Sequence, residues 1–135
     1  MTQENKELLL IDLCARLPYG VLFKGEYDED LQEIHYIKDE AIYTRTYPHL
    51  PYWIETIKPY LRPLSSMTEE EKRQYMGFIA YSGNPNGSAN FVDWLNEHHF
   101  DYRTIYDESK EKWVSMIEKG LALEAPKGMY NLKEK

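Results

Sequence analysis

The chain has 135 residues, of which 42% are hydrophobic, 29% charged and 14% aromatic, and its net charge is −7 at pH 7. A chain of this length buries roughly two thirds of its unfolded surface, so one core is stable without disulfide or metal cross-links. The composition excludes a disordered chain, and the acidic excess disfavours binding to duplex DNA. No stretch has the length of a membrane span or the charge pattern of a signal peptide. We therefore expect a single cytoplasmic domain over residues 1–135, with no membrane partner.

The first predicted element is an N-terminal helix. Asn5 is a suitable N-cap, and Pro18 and Gly20 end the helix after about Leu17. We expect the single cysteine, Cys14, to be a buried apolar residue rather than a nucleophile. Apolar side chains recur at spacings of three and four and predict the buried stripe. They are Leu8, Leu9, Ile11, Leu13, Cys14 and Leu17.

From Val21 to Ile57 the sequence is typical of β-structure. Short runs rich in Ile, Tyr, Thr and Trp are separated by acidic or proline-containing turns. In one of these runs Tyr43, Arg45 and Tyr47 would share one face, because side chains alternate along a strand. Three or four such strands predict a small, twisted antiparallel sheet. The runs cover Gly20–Lys24, Leu31–Ile37, Ala41–Tyr47 and Tyr52–Ile57.

The pattern becomes helical after Pro63. Thr68 and Glu71 have the spacing of a capping box, which predicts a helix from Thr68 to about Tyr81. Asn90 is a candidate cap for a second helix. We expect the buried side of that helix to carry Phe91, Trp94, Leu95 and His98.

A third helix is predicted over residues 107–119, where Trp113, Met116 and Ile117 share one side and Gly120 follows as a C-terminal cap. Strands precede helices instead of alternating with them, so the predicted fold class is α+β. It consists of an N-terminal helix, a small twisted antiparallel sheet, and two or three helices packed on that sheet. The β-rich part would cover about residues 20–60 and the helical part about residues 66–125.

The segment 43–63 is the most aromatic part of the chain and carries a net charge of +2, whereas the rest of the chain carries −9. Flat rings interleaved with cations suit a protein partner or single-stranded nucleic acid. The surrounding negative charge favours a protein partner. The alternative is that these rings fill and edge the sheet. The candidate binding residues are Tyr43, Arg45, Tyr47, Tyr52, Trp53, Lys58, Tyr60 and Arg62.

A second candidate site is formed by His98, His99 and Asp101, since imidazole and carboxylate groups bind zinc or iron. Adjacent helical residues point about a hundred degrees apart, which argues against one shared ion unless the helix ends between the histidines. The sequence has no phosphate-binding loop, dinucleotide fingerprint, Cys-x-x-Cys or nucleophile elbow. We therefore expect a non-enzymatic binding or accessory module without a cofactor. A small metal-dependent hydrolase using these three residues is the alternative.

Four short blocks of the sequence resemble known protein sequences. Together they cover about a third of the chain and resemble a family of short uncharacterised proteins from anaerobic gut bacteria, associated with phage and other mobile-element neighbourhoods. The resemblance implies a bacterial cytoplasmic protein and transfers no catalytic residues. The blocks are Leu13–Val21, Ile57–Glu71, Asp93–Arg103 and Gly120–Pro126.

Overall fold

The computed structural model describes residues 2–25, 31–82 and 89–130. Helix α1 spans Gln3–Arg16. Its N-cap is Thr2, three residues before the predicted cap Asn5, because the Thr2 side chain accepts a hydrogen bond from the Asn5 backbone N–H. A short 3-10 turn, Leu17–Tyr19, follows the helix and ends at Gly20, whose φ of 70° is left-handed. The predicted stop at Pro18 and Gly20 is therefore confirmed.

The buried face of α1 differs from the predicted apolar stripe. Leu9 and Leu13 are fully buried as expected, but Ile11 and Cys14 are exposed. The prediction of a buried Cys14 is therefore wrong. Two charged residues, Asp12 and Arg16, take the remaining buried positions of α1.

The main sheet is larger than predicted and is mixed rather than purely antiparallel. In the described part of the chain it has seven strands: β1 Leu22–Gly25, β2 Gln32–Lys38, β3 Ala41–Thr44, β4 Tyr52–Trp53, β5 Ile57–Pro63, β6 Phe100–Asp101 and β9 Leu123–Glu124. Neighbouring strands follow the order β4-β3-β2-β1-β5-β6, and β9 also pairs with β5. The pairs β5-β6 and β5-β9 are parallel, and the other pairs are antiparallel.

The capping box predicted for the next helix is present. The Thr68 backbone N–H donates to Glu71 Oε1 over 2.9 Å, and the Glu71 N–H donates to Thr68 Oγ1 over 3.2 Å. Helix α2 spans Glu69–Ser82, and helix α3 spans Ala89–Glu97. Asn90 lies within α3 rather than at its cap, whereas Phe91 and Leu95 are buried as predicted.

The helix predicted over residues 107–119 is wrong for most of its length. Strands β7, Thr104–Asp107, and β8, Lys112–Ser115, form an antiparallel two-stranded sheet, and only α4, Met116–Lys119, is helical. The segment alternates buried Ile105 and Val114 with exposed side chains, which is the period of a strand. The fold is therefore α+β, but the expected helical part also contains strands.

The described residues form two hydrophobic clusters. The larger one packs α1 against the main sheet around Leu9, Leu13, Phe23 and Leu61. The smaller one contains Phe91, Leu95 and Phe100 with partly buried rings from α2 and α3 around it. The outer face of strands β2, β3 and β4 belongs to neither cluster and carries two of the candidate binding residues, Tyr43 and Trp53.

Candidate functional site

Strand register brings three aromatic residues onto the outer face of β2, β3 and β4. Tyr36 pairs with Tyr43, and Trp53 pairs with Ala41, which lies two residues from Tyr43 and therefore on the same side of the strand. Directly opposed residues share a face, so Tyr36, Tyr43 and Trp53 project together. We call these three residues the outer aromatic face.

A tight turn fixes this register. The β2–β3 hairpin closes through Asp39 and Glu40, whose φ values of 51° and 66° are both positive, as a type I′ turn requires. A register shift between Ile34 and Tyr36 lies further along the same hairpin. Tyr36 is consequently held opposite Tyr43, and the two rings stack with centroids 4.6 Å apart and planes within 5°.

The outer aromatic face is accessible. Trp53 is 57% exposed and Tyr36 is 38% exposed, although both are large apolar side chains. The Tyr36 hydroxyl donates a hydrogen bond to the Pro48 carbonyl over 3.2 Å, which ties the loop after β3 to this face. Exposed aromatic groups that cluster on one face mark interaction sites more often than single exposed residues do.

The loop after β3 adds further exposed side chains next to the outer aromatic face. Strand β3 ends at Thr44, and the Thr44 hydroxyl accepts a hydrogen bond from the Tyr47 N–H over 3.1 Å. The strand alternation expected for Tyr43, Arg45 and Tyr47 is therefore wrong beyond Thr44, because the chain turns there. Arg45, Tyr47 and Leu50 are nevertheless exposed.

Two cations accompany these rings. Lys38 pairs with Ala41 and so lies on the same side of the strands as the outer aromatic face, and Arg45 follows β3 directly. Both side chains are exposed, and neither has an ion-pair partner within residues 2–25, 31–82 and 89–130. Two cations without an ion-pair partner among these residues therefore accompany the rings, although Asp39 and Glu40 occupy the hairpin turn next to Lys38.

The remaining candidate residues of segment 43–63 lie elsewhere. Tyr52 pairs with Ile42 on the inner side and meets the buried Phe23 edge-on, with ring centroids 5.2 Å apart. Lys58, Tyr60 and Arg62 belong to β5, which is separated from β3 by two strands. The segment therefore does not form one continuous surface.

Arg62 and Tyr60 have structural partners. The Arg62 guanidinium makes a two-pronged salt bridge to Glu71, with N–O distances of 2.8 Å and 2.7 Å, and lies 4.4 Å from the Phe100 ring centroid. The Tyr60 carbonyl accepts a hydrogen bond from the Tyr130 hydroxyl over 2.6 Å. Lys58 is exposed and lines a cavity of about 410 Å³ together with Lys24.

Each of the three residues of the alternative metal site, His98, His99 and Asp101, interacts with a different part of the protein. His98 Nδ1 lies 2.8 Å from the Trp94 carbonyl oxygen, and the His99 ring stacks on Tyr130 with centroids 3.7 Å apart. The two Asp101 carboxylate oxygens accept hydrogen bonds from the Met116 and Ile117 N–H groups over 3.2 Å and 3.0 Å. Within the described ranges, no three His, Cys, Asp or Glu side chains are grouped closely enough to hold a metal ion.

Burial moves the pKa values of His99 and Asp101 in opposite directions, and each shift favours the neutral form of the side chain. Burial, helped by the charges of Arg16, Arg62 and His98, lowers the pKa of His99 to about 3. Burial raises the pKa of Asp101, although its hydrogen bonds to Ile117, Ser115 and Met116 and the charge of Arg16 oppose this shift.

Sequence reasoning missed Tyr36, which belongs to the outer aromatic face but precedes segment 43–63. Simple alternation from the buried Ile34 would place Tyr36 on the inner side, but the register shift between Ile34 and Tyr36 moves it to the outer face. Asp-Glu is an uncommon pair for a type I′ turn, so this register had little support in the sequence.

Comparison with models of protein families, with curated proteins and with solved structures found no match to this chain. Across the residues that the structure describes, none of the helices combines the length and apolarity needed to cross a membrane.

Proposed function

We propose that the protein is a non-enzymatic accessory module that holds a protein partner on its outer aromatic face. The observation that carries this proposal is the exposure of Trp53 beside the stacked pair Tyr36 and Tyr43 on one sheet face. Aromatic side chains dominate binding energy at protein interfaces because they bury large areas with few rotatable bonds.

The arrangement of the rings favours protein over single-stranded nucleic acid. Nucleic-acid platforms need open ring faces on which successive bases stack. Tyr36 and Tyr43 stack on each other, so each already uses one of its faces. The net charge of −7 also opposes the approach of a phosphate backbone.

Charge and strand order support one particular chemistry for the partner. Lys38 and Arg45 beside the rings complement acidic side chains, whereas Trp53 and Leu50 complement apolar ones. In the described part of the chain, β4 is the last strand on its side of the main sheet, which suits an extended segment lying along it. The proposed partner segment is therefore extended and carries apolar residues flanked by Asp or Glu.

Selection from a displayed library of random peptides on the immobilised protein tests this proposal. We expect enriched peptides to contain apolar residues flanked by acidic ones. Their affinity should fall by about 30-fold or more in Trp53→Ala, the effect of removing an interface hot spot. Trp113→Ala is the matched control, because Trp113 is 67% exposed on the β7–β8 hairpin.

Three results would overturn the proposal. They are the absence of any enriched peptide, equal affinity of the enriched peptides for wild type and Trp53→Ala, and tighter binding of an oligothymidine strand than of every peptide. Unchanged melting of Trp53→Ala shows that an observed loss of affinity comes from the missing contact.

A further inference from the structure

A large groove lies outside the outer aromatic face. It has a volume of about 1200 Å³ and is bounded by the turn after α1, the first turns of α2, the end of α3 and the turn that contains Tyr130. None of Tyr36, Tyr43 and Trp53 lines it. The volume exceeds that of most small-molecule pockets, so the groove has room for an elongated ligand.

The groove is acidic. Among the described residues that line it there are five glutamates and one arginine. Glu71 is neutralised by Arg62, Glu70 by Arg73, and Glu69 by a weak exposed contact with Lys72. Glu33 and Glu97 have no ion-pair partner in the described part of the chain. They are therefore available to a ligand.

Nearby carboxylates help to raise the pKa values of two tyrosines that line the groove, Tyr19 and Tyr130. Burial raises the pKa of Tyr19, and the nearby Asp93 and Glu97 carboxylates raise it further. Burial also raises the pKa of Tyr130, and Glu33 adds to that rise, against the opposing effects of a hydrogen bond to Leu22 and the charge of Arg16. Glu33 and Glu97 thus act on different parts of the same groove.

A second, independent feature of the groove is His99. This residue lines the groove, is only 4% exposed, and its Nδ1 has no hydrogen-bond partner among the described residues. Buried polar atoms are nearly always hydrogen-bonded in native proteins. One nitrogen of a residue in the groove wall, His99 Nδ1, is therefore left without a hydrogen bond by the described residues.

We propose that this groove binds an organic cation, an ammonium or guanidinium group carried on a flexible aliphatic chain. Glu33 and Glu97 supply the charge-assisted hydrogen bonds, and the rings of Tyr19 and Trp94 supply faces that attract a cation. A free polyamine and the Lys or Arg side chains of a peptide share this chemistry. The proposal concerns residues separate from the outer aromatic face, so either proposal can fail without the other.

The three tryptophans make the site directly observable. The Trp94 indole N–H donates to Gln74 Oε1 over 3.0 Å, and both residues line the groove, whereas Trp53 and Trp113 lie outside it. Titration of ¹⁵N-labelled protein with spermidine, or with a tetralysine peptide, should shift the Trp94 indole resonance to saturation and leave the other two unmoved. Tighter binding of spermidine would identify a free polyamine as the ligand type, and tighter binding of the peptide would identify a protein segment.

A charge-matched pair of variants completes the test. Glu33→Gln combined with Glu97→Gln should raise the Kd about tenfold or more, because it removes charge-assisted hydrogen bonds. Glu111→Gln combined with Glu124→Gln changes the net charge equally at exposed positions outside the groove and should leave the Kd within about twofold of wild type. The proposal is overturned by a Trp94 resonance that moves with neither probe, by equal shifts of all three indoles, by the same response to MgCl₂, or by unchanged affinity of the Glu33 and Glu97 variant.

Discussion

Asp12 and Arg16 lie one turn apart on α1, and both are fully buried, with 2.8 Å between Asp12 Oδ2 and Arg16 Nε. Arg103 Nε donates to the other Asp12 oxygen over 2.9 Å, and Arg16 Nη2 donates to the Phe100 carbonyl over 2.6 Å. This network connects α1 to β6 and to the residues that follow it. It therefore joins the N-terminal helix to a strand more than 80 residues away in the sequence.

Asp12→Asn should be strongly destabilising, because it leaves the Arg16 guanidinium buried without its counter-charge. Removal of one partner of a buried ion pair costs about 3–5 kcal/mol. Urea unfolding measures this loss. Glu70→Gln, which breaks the exposed pair between Glu70 and Arg73, is the control and should cost less than about 1 kcal/mol. Equal losses for the two variants would show that Asp12 is not buried as described.

Tyr47 and Tyr52 should respond differently to truncation, although they are close in sequence. Tyr52 contacts Phe23 edge-on, so Tyr52→Ala should cost about 3 kcal/mol of stability. Tyr47 is 43% exposed, and Tyr47→Ala should change stability by less than about 0.5 kcal/mol. Thermal melts of both variants check the assignment of Tyr52 to the core. Similar changes in melting temperature would contradict it.

Local patterns predicted local structure well in this chain. The Thr68–Glu71 capping box and the stop at Gly20 depend on residues within one or two turns, and both are present. The burial of Arg16 was not predictable in this way, because its acceptor is the Phe100 carbonyl. Such a contact depends on how distant elements pack.

Errors in strand prediction also have physical causes. Pro59 and Pro63 interrupt the β-like pattern, yet β5 runs through Pro59 and ends at Pro63. Trp113 and Met116 have helical spacing, but Trp113 belongs to the exposed side of β8 and Met116 begins a short helix after it. For the candidate site, composition identified Tyr43 and Trp53, whereas the inclusion of Tyr36 and the separation of Arg62 followed only from strand order.

Acid should weaken the link between β5 and α2. Burial raises the pKa of Glu71, but hydrogen bonds from Arg62 and Thr68 and the charges of Arg62 and His98 outweigh burial, so the pKa lies below its usual value of 4.5. A depressed carboxyl pKa stabilises the folded state above the unfolded-state pKa, and this contribution is lost as the pH falls below it. Below pH 4.5 we expect the unfolding free energy of Glu71→Gln to fall less steeply with decreasing pH than that of the wild type. An identical acid slope for wild type and Glu71→Gln would contradict this account.

His99 should also make the unfolding free energy depend on pH, and it should do so at higher pH than Glu71. Its pKa falls from 6.5 to about 3 in the folded protein, so the unfolded state binds the proton first as the pH decreases. Stability should be retained above pH 6.5 and decline below it, with a slope that approaches about 1.4 kcal/mol per pH unit. His99→Asn keeps a residue that tolerates the positive φ of 63° and should flatten this slope between about pH 6.5 and 5. Direct ¹⁵N measurement of a protonated His99 ring at pH 5 would contradict the prediction.

The indole N–H resonances of Trp53, Trp94 and Trp113 test the outer aromatic face most directly. Addition of a peptide selected on the wild-type protein should shift the Trp53 resonance to saturation, while the Trp94 and Trp113 resonances stay in place. This result is predicted because Trp53 is part of the proposed contact and the other two tryptophans lie outside the outer aromatic face. Saturable binding that leaves the Trp53 resonance unmoved would contradict the proposed function.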